Sequence, residues 1–353
     1  MTFLILFQQP HISLSVFFNY TLMVKMFYTD HMLQNFNSCN FKKNYFLFMA
    51  IFLLAGTVHS EKNMVKRQKR NPPSQVQEAV HDIPDVPEGI LKIRKAYKNL
   101  DINVTYNKEL KDWCMHFSSY GKEFKFYWCD GAILPEEELS EKKEYWSLLY
   151  PYPENLRDPV DMTESEKLKL KEFGSVANRR QGKGSAMYFF DAVYDSGSRK
   201  RLESHLQRIS FLGKNTTIHE QIVEPVKNVE KKIKELSLYD SEVKSFVEKI
   251  KSCDAFAWRV IDGTNRKSFH SLGIAIDILP VRITGEIFWS WARDKNPENW
   301  MLTPLSRRWL PPKKVVQIFE EEGFIWGGKW GIWDNMHFEY HPELLPPVSS
   351  SSS

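Results

Sequence analysis

Three histidines stand in the last hundred residues, His270, His337 and His341, and two of them share a short stretch with an acid. His270 precedes Asp277 by seven positions in SFHSLGIAIDILP, and His337 follows Asp334 by three in WDNMHFEYH. Imidazoles and carboxylates in this mixture suit a divalent cation used for hydrolysis. A zinc hydrolase needs three protein ligands of nitrogen or oxygen type and an open position for water. It also needs a carboxylate within reach of that water to take its proton. His270, Asp277 and His337 would be the ligands and Asp334 the base, and the His/Asp set favours zinc among the available metals.

The chemistry also explains an oddity of the first stretch. Ile274, Ile276 and Ile278 alternate with small or apolar neighbours, the pattern of a buried strand, yet Asp277 sits among them. An unpaired buried charge costs several kcal/mol, so Asp277 needs a partner. A cation would serve, and Arg259 is the rival. Gly273 permits a tight turn that returns His270 over the strand. Ser268 reads equally as a substrate- or ligand-orienting hydroxyl and as a turn cap. Trp326, Trp330 and Trp333 read either as walls of a substrate groove or as core aromatics. If the strand through His337 continues, Glu339 and His341 share its face. Both read as supporting or surface residues, with His341 a reserve ligand should Asp277 fail.

Two blocks carry a resemblance. SFHSLGIAID matches the S-x-H-x-x-G-x-A-x-D motif of the zinc D-alanyl-D-alanine carboxypeptidase and L-alanyl-D-glutamate endopeptidase family. GFIWGGKWGIWDNMHFE resembles that family's W-G-G-x-W block followed by D-x-x-H-F-E, in the same order along the chain. The resemblance covers roughly residues 205–345. It implies a compact α+β fold whose small antiparallel sheet carries the zinc site, flanked by helices. By motif position it implies His270, Asp277 and His337 as ligands, Asp334 as general base and Arg259 as the residue polarising the scissile carbonyl. The implied substrates are the stem peptides of peptidoglycan, and the W-G-G-x-W block leans toward the endopeptidase branch. A rival reading keeps the fold and the zinc but drops turnover, leaving a cell-wall-binding module; Asp334 argues against it, since a structural site needs no base.

These residues must be positioned by the elements around them. The chain has 353 residues, 42% of them apolar, with 11 Trp, 14 Tyr and 24 Phe, which is ample for a core. A net charge of +4 is far from the footprint of a nucleic-acid binder. Lys42 and Lys43 precede an apolar run from Tyr45 to Gly56, with Val58 and Ser60 at spacing suited to signal-peptidase cleavage. A dozen apolar residues suits a signal-peptide core better than a membrane span, so residues 1–60 are expected to be a leader, with Met23, Met26 and Met32 as alternative starts. The mature protein is then secreted or periplasmic, with no transmembrane span. Residues 61–86 read as a flexible basic linker and residues 87–204 as an N-terminal β-containing extension, which would be a wall- or partner-binding domain on a third reading. Residues 205–347 read as the peptidase domain and 348–353 as a disordered serine tail.

Within those limits, 102–135 reads as strands and hairpins, with turns at Gly121 and at Asp130–Gly131. TESEKLKLKEF reads as a helix opened by a Thr163–Glu166 capping box. SRKRLESHLQRISFL, IHEQIVEPVKNVEKKIKEL (with a start or kink at Pro225), DSEVKSFVEKIKS and PKKVVQIFEEEG also read as helices, the last stopping at Gly323. AFAWRVI and LGIAIDILP read as strands, and the second tryptophan block as a loop or hairpin running into a final strand. Beyond the leader remain Cys114, Cys129 and Cys253; the first two are close enough to pair in an oxidising compartment.

Overall fold

A computed structural model of the chain describes residues 83–346, apart from 262, 263 and 265. The expected leader, residues 61–82 of the linker and the serine tail lie outside the described residues. Among the described residues no helix is long and apolar enough to cross a membrane.

Helix α1 (Glu88–Ala96) buries Ile90 and Ile93 and is followed by an antiparallel meander of β1 (Asn103–Asn107), β2 (Asp112–Ser119) and β3 (Lys122–Tyr127). The β2–β3 turn is the two-residue loop Tyr120–Gly121, both with positive φ, the geometry that lets strands of right-handed twist reverse tightly. The two-residue strands β4 (Tyr145–Trp146) and β5 (Gly184–Ser185) pair in parallel. Helix α2 (Glu164–Phe173) opens on the expected capping box: Thr163 Oγ1 accepts from the Glu166 amide, and Glu166 accepts from the Thr163 amide. Short helices α3 (Val176–Gln181), α4 (Tyr188–Val193) and α5 (Arg199–Glu203) follow.

The structure then departs from the helical reading of SRKRLESHLQRISFL. Only α5 is helical; β6 (Leu206–Phe211) pairs antiparallel with β7 (Lys214–His219). Leu202, Leu206 and Ile209 do fall at helical spacing, but Leu212 and Gly213, at φ 49° and 76°, form a tight reversing turn, and a hairpin wins over the local period. Helix α6 (Val223–Ser237) buries Val223, Val226, Val229 and Ile233 along one face. Pro225 lies in its first turn, where a missing N–H costs nothing. Helix α7 (Ser241–Glu248) is capped by Asp240, whose Oδ1 accepts from the Glu242 and Val243 amides.

The sheet that matters for chemistry has four antiparallel strands in the order β10–β11–β9–β8: β8 (Ile250–Asp254), β9 (Ala275–Pro280), β10 (Phe324–Trp326) and β11 (His337–Tyr340). The strand expected in AFAWRVI instead precedes it, at β8; residues 255–259 form no strand and are hydrogen-bonded to the His270 turn, and Val260 makes a bridge to Lys267. Between β9 and β10 lie α8 (Trp289–Lys295) and α9 (Lys313–Glu321), and the chain leaves α9 at Gly323 with φ 93°. Residues from both sides of position 204 share one core, which includes Ile90, Phe117, Phe190, Ile276, Phe319 and Phe338. Cys114, Cys129 and Cys253 are all buried free thiols, so Cys114 and Cys129 are not bonded to each other. Cys114 Sγ instead lies 3.2 Å from His116 Nε2.

Candidate metal centre

β9 and β11 bring the separated blocks together by register. His337 stands directly opposite Asp277, and Phe338 opposite Ile276. Opposed residues of an antiparallel pair project to one face, so the His337 and Asp277 side chains meet while Phe338 and Ile276 enter the core on the other. His337 Nδ1 lies 2.7 Å from Asp277 Oδ1.

His270 arrives from a 3-10 turn, Phe269–Leu272, just before β9. Ser268 Oγ accepts from the His270 amide at 3.3 Å and caps that turn. Gly273 closes it at φ 70°; a Cβ there would stand 2.8 Å from Leu206 Cδ2 and 2.9 Å from the His219 nitrogen. Only glycine fits so close an approach in a left-handed conformation. The turn is also tied to residues 255–259: the Ala257 amide donates to His270 O at 3.1 Å, and Ser271 Oγ donates to Arg259 O at 2.6 Å.

The imidazole orientations follow from their outer hydrogen bonds. His270 Nδ1–H donates to Ala255 O, which leaves Nε2 as a lone pair facing inward. His337 Nε2–H donates to Glu339 Oε1 at 2.8 Å, which leaves Nδ1 facing inward. These two inward nitrogens are 3.2 Å apart, and His270 Nε2 lies 3.2 Å from Asp277 Oδ2. One donor atom from each of His270, Asp277 and His337 lies within 4.8 Å of the others. Two buried lone pairs and a carboxylate facing one another repel unless a positive charge sits between them. Ligand atoms placed tetrahedrally at the usual zinc distances stand about 3.3 Å apart, close to the 3.2 Å separations here. The donor set therefore fits a cation of zinc type.

The charges respond accordingly. Burial alone would raise the Asp277 carboxyl, but the His270 and His337 imidazoles outweigh it and hold it well below the usual range. Burial would lower His337, but Glu339 and Asp277 outweigh it and push it upward. Burial would likewise raise Glu339, and His337 and His341 bring it down to about 2.

Asp334 sits on the loop entering β11. Its amide donates to Gly327 O at 3.0 Å, and a Cβ on Gly327 would come within 2.7 Å of the Asp334 carbonyl. The next residue is fixed as well: the Asn335 amide donates to Ile287 O and Asn335 O accepts from Trp326 Nε1 at 2.9 Å. Asp334 Oδ1 is sealed from solvent and has no hydrogen-bond partner. Burial pushes this carboxyl up to about 8, with the charge on Asp277 adding to the rise and His337 opposing it. The carboxyl thus stands, with one oxygen unpartnered, three residues before His337 on the loop that enters β11.

The other expected residues are distributed around this centre. Arg259 has an exposed side chain, and its backbone is held by the His270 turn: its amide donates to Ser271 Oγ at 2.8 Å. Trp326 is buried in the main core, whereas the half-buried Trp330 stands with its ring 5.6 Å from the His337 ring. Trp333 is buried and carries the Arg308 guanidinium 4.3 Å above its ring. His341 is outside the His270–Asp277–His337 cluster, in which Asp277 converges; neither it nor Glu339 is on the surface.

Sequence reasoning missed Tyr97 and Glu343. His341 Nδ1–H donates to Glu343 Oε1 at 2.7 Å, and Tyr97 O–H donates to Glu343 Oε2 at 2.8 Å. The alternation of His337, Glu339, His341 and Glu343 was there to be read. No local signal marks Tyr97, which is 246 positions from its partner.

Comparison with known proteins agrees with this geometry over part of the chain. A family model described as D-alanyl-D-alanine carboxypeptidase matches residues 262–340, a span holding all three candidate ligands and Asp334. A model described as a domain of unknown function matches residues 90–150. No curated protein and no solved structure matches the chain. Residues 262–340 are thus similar to a peptidase family that acts on cell-wall peptides, and the chain supplies a His–Asp–His cluster able to bind a metal within that span.

Proposed function

We propose that this chain is a secreted or periplasmic zinc metallopeptidase that hydrolyses peptide bonds in peptidoglycan stem peptides, with Asp334 as general base. The observation that carries the reading is the convergence of His270, Asp277 and His337, with a buried, unpartnered Asp334 oxygen on the loop that leads into His337. The match of residues 262–340 to a D-alanyl-D-alanine carboxypeptidase model supports the substrate class. The apolar run Tyr45–Gly56 supports export.

His270 Nε2, His337 Nδ1 and an Asp277 oxygen would hold the zinc. When bound, the ion supplies Lewis acidity, polarising the scissile carbonyl and acidifying the attacking water. Asp334 Oδ1 accepts the proton of that water as it attacks and then passes it to the departing amine. Arg259, exposed next to the His270 turn, donates to the oxygen on which charge develops. Trp330 walls the groove beside His337, Trp326 packs beneath it, and Ser268 holds the His270 turn toward the substrate. The scissile bond is L-Ala–D-Glu in an endopeptidase or D-Ala–D-Ala in a carboxypeptidase, and the W-G-G-x-W block favours the former.

Digestion of purified muropeptides with and without chelator tests the reading. Chelator-sensitive cleavage is expected, and product masses identify the bond. Absence of cleavage of either bond, or cleavage indifferent to chelator, would end it.

A further inference from the structure

The contacts behind His337 do not stop at Glu339. Glu339 Oε2 lies 3.3 Å from His341 Nε2; His341 Nδ1–H donates to Glu343; and Glu343 accepts from Tyr97. All five groups, Tyr97, Glu343, His341, Glu339 and His337, are buried, none more than 8% exposed. The middle contact is a charge contact, since no acceptor lies in line with His341 Nε2–H. The other three are hydrogen bonds of 2.7 to 2.8 Å.

The donors run in one consistent direction. Tyr97 can only donate to a carboxylate, and each carboxylate can only accept. His341 donates its Nδ1–H to Glu343, and its protonated ring meets Glu339 on the other side as a charge contact through Nε2. Glu339 is then left to accept the His337 Nε2 proton, and that choice turns Nδ1 toward Asp277 and His270. Reversing any link would leave a carboxylate facing a lone pair in a dry interior, at a cost of about 1–3 kcal/mol or more. Tyr97 terminates the series. Without its hydroxyl, Glu343 Oε2 would be a buried charged oxygen with no partner.

Tyr97 belongs to the segment matched by the domain of unknown function. It directly follows α1, which packs against the turn Pro342–Leu344 that carries Glu343. We propose that this N-terminal module is a working part of the metal centre: Tyr97, through Glu343, His341 and Glu339, is a positioning residue that fixes the orientation of His337 for the cation. The proposal rests on the reading of His337 as a ligand. It gives the module a role distinct from binding the wall.

The test is cobalt(II) titration of the full-length chain, reading both affinity, by competition with a chelator, and the visible absorption that reports ligand geometry. Wild type, Tyr97→Phe, Glu343→Gln and Tyr120→Phe are compared. Tyr120→Phe removes a hydroxyl bonded to Glu220 at 3.3 Å, in the same module but outside the series. Outer partners of metal ligands are typically worth about 10–100-fold in affinity. Glu343→Gln should weaken binding about tenfold. Tyr97→Phe should weaken it severalfold, and both should alter the absorption spectrum, with Tyr120→Phe matching wild type. Should Glu343→Gln not fold, Tyr97→Phe, which keeps the ring in place, decides alone. A wild type that binds no cobalt overturns both the metal reading and this proposal. Cobalt binding that is equal in wild type and Tyr97→Phe, with the same spectrum, overturns this proposal and leaves the metal reading intact.

Discussion

His337 and Asp277, sixty positions apart in the chain, face each other across β11 and β9 with Nδ1 and Oδ1 2.7 Å apart. One antiparallel register therefore does most of the assembly. A slip by one residue would send His337 into the core and Phe338 out of it, so the apolar side of the same strands enforces the side that carries the His–Asp–His cluster. His270 joins from a turn whose closing glycine cannot be replaced without moving Leu206 or the His219 backbone.

Asp334→Asn separates base from ligand. Its Oδ1 has no partner to lose, so the fold and metal affinity should stay within a few-fold of wild type. Turnover on stem peptides should drop by about 10²–10⁴. Equal losses in metal affinity and turnover would instead make Asp334 a ligand or a structural group.

Arg259→Ala tests a side chain that is exposed and makes no structural demand. Melting temperature and metal content should match wild type, because the contacts of Arg259 to the His270 turn are made by its backbone. Loss of an oxyanion donor should lower kcat by about 10²–10³ with little change in KM. An unchanged kcat would remove Arg259 from the mechanism.

Stability of the metal-free protein should depend on His341. Burial would lower this imidazole, but Glu343 and Glu339 outweigh it and hold it up to about 9. The folded-state pKa thus exceeds the unfolded value of ~6.5, so this contribution is complete below ~6.5 and is lost as pH rises through about 9. At the acid end Glu339, held at about 2, works in the other sense: its contribution is present above ~4.3 and is lost as pH falls through about 2. Thermal melts of metal-free protein should therefore decline on the alkaline side, and His341→Gln should flatten much of that decline. An identical alkaline slope in the variant would contradict the assignment.

The site was legible where a motif coincided with a strong period. The alternation of Ile274, Ile276 and Ile278 places β9, and the odd carboxylate within it asks for a cation. The capping box at Thr163 and the apolar face of α6 are equally local, and both are present in the structure. The hairpin β6–β7 was not legible as such, because Leu202, Leu206 and Ile209 keep a helical spacing and the decisive turn, Leu212–Gly213, lies at the end of the stretch. The free thiols of Cys114 and Cys129 show a different limit: closeness in sequence does not supply the geometry a disulfide demands. Tyr97 was beyond reach for the simplest reason, since its role depends wholly on a contact made 246 positions away.

The most direct measurement is the zinc content of the full-length protein after equilibrium dialysis, for wild type, His270→Ala and His337→Ala. One tightly held ion per chain is expected in wild type, with the ion lost from both variants. A wild type that retains no zinc, or variants that retain it undiminished, would contradict a centre built from His270, Asp277 and His337.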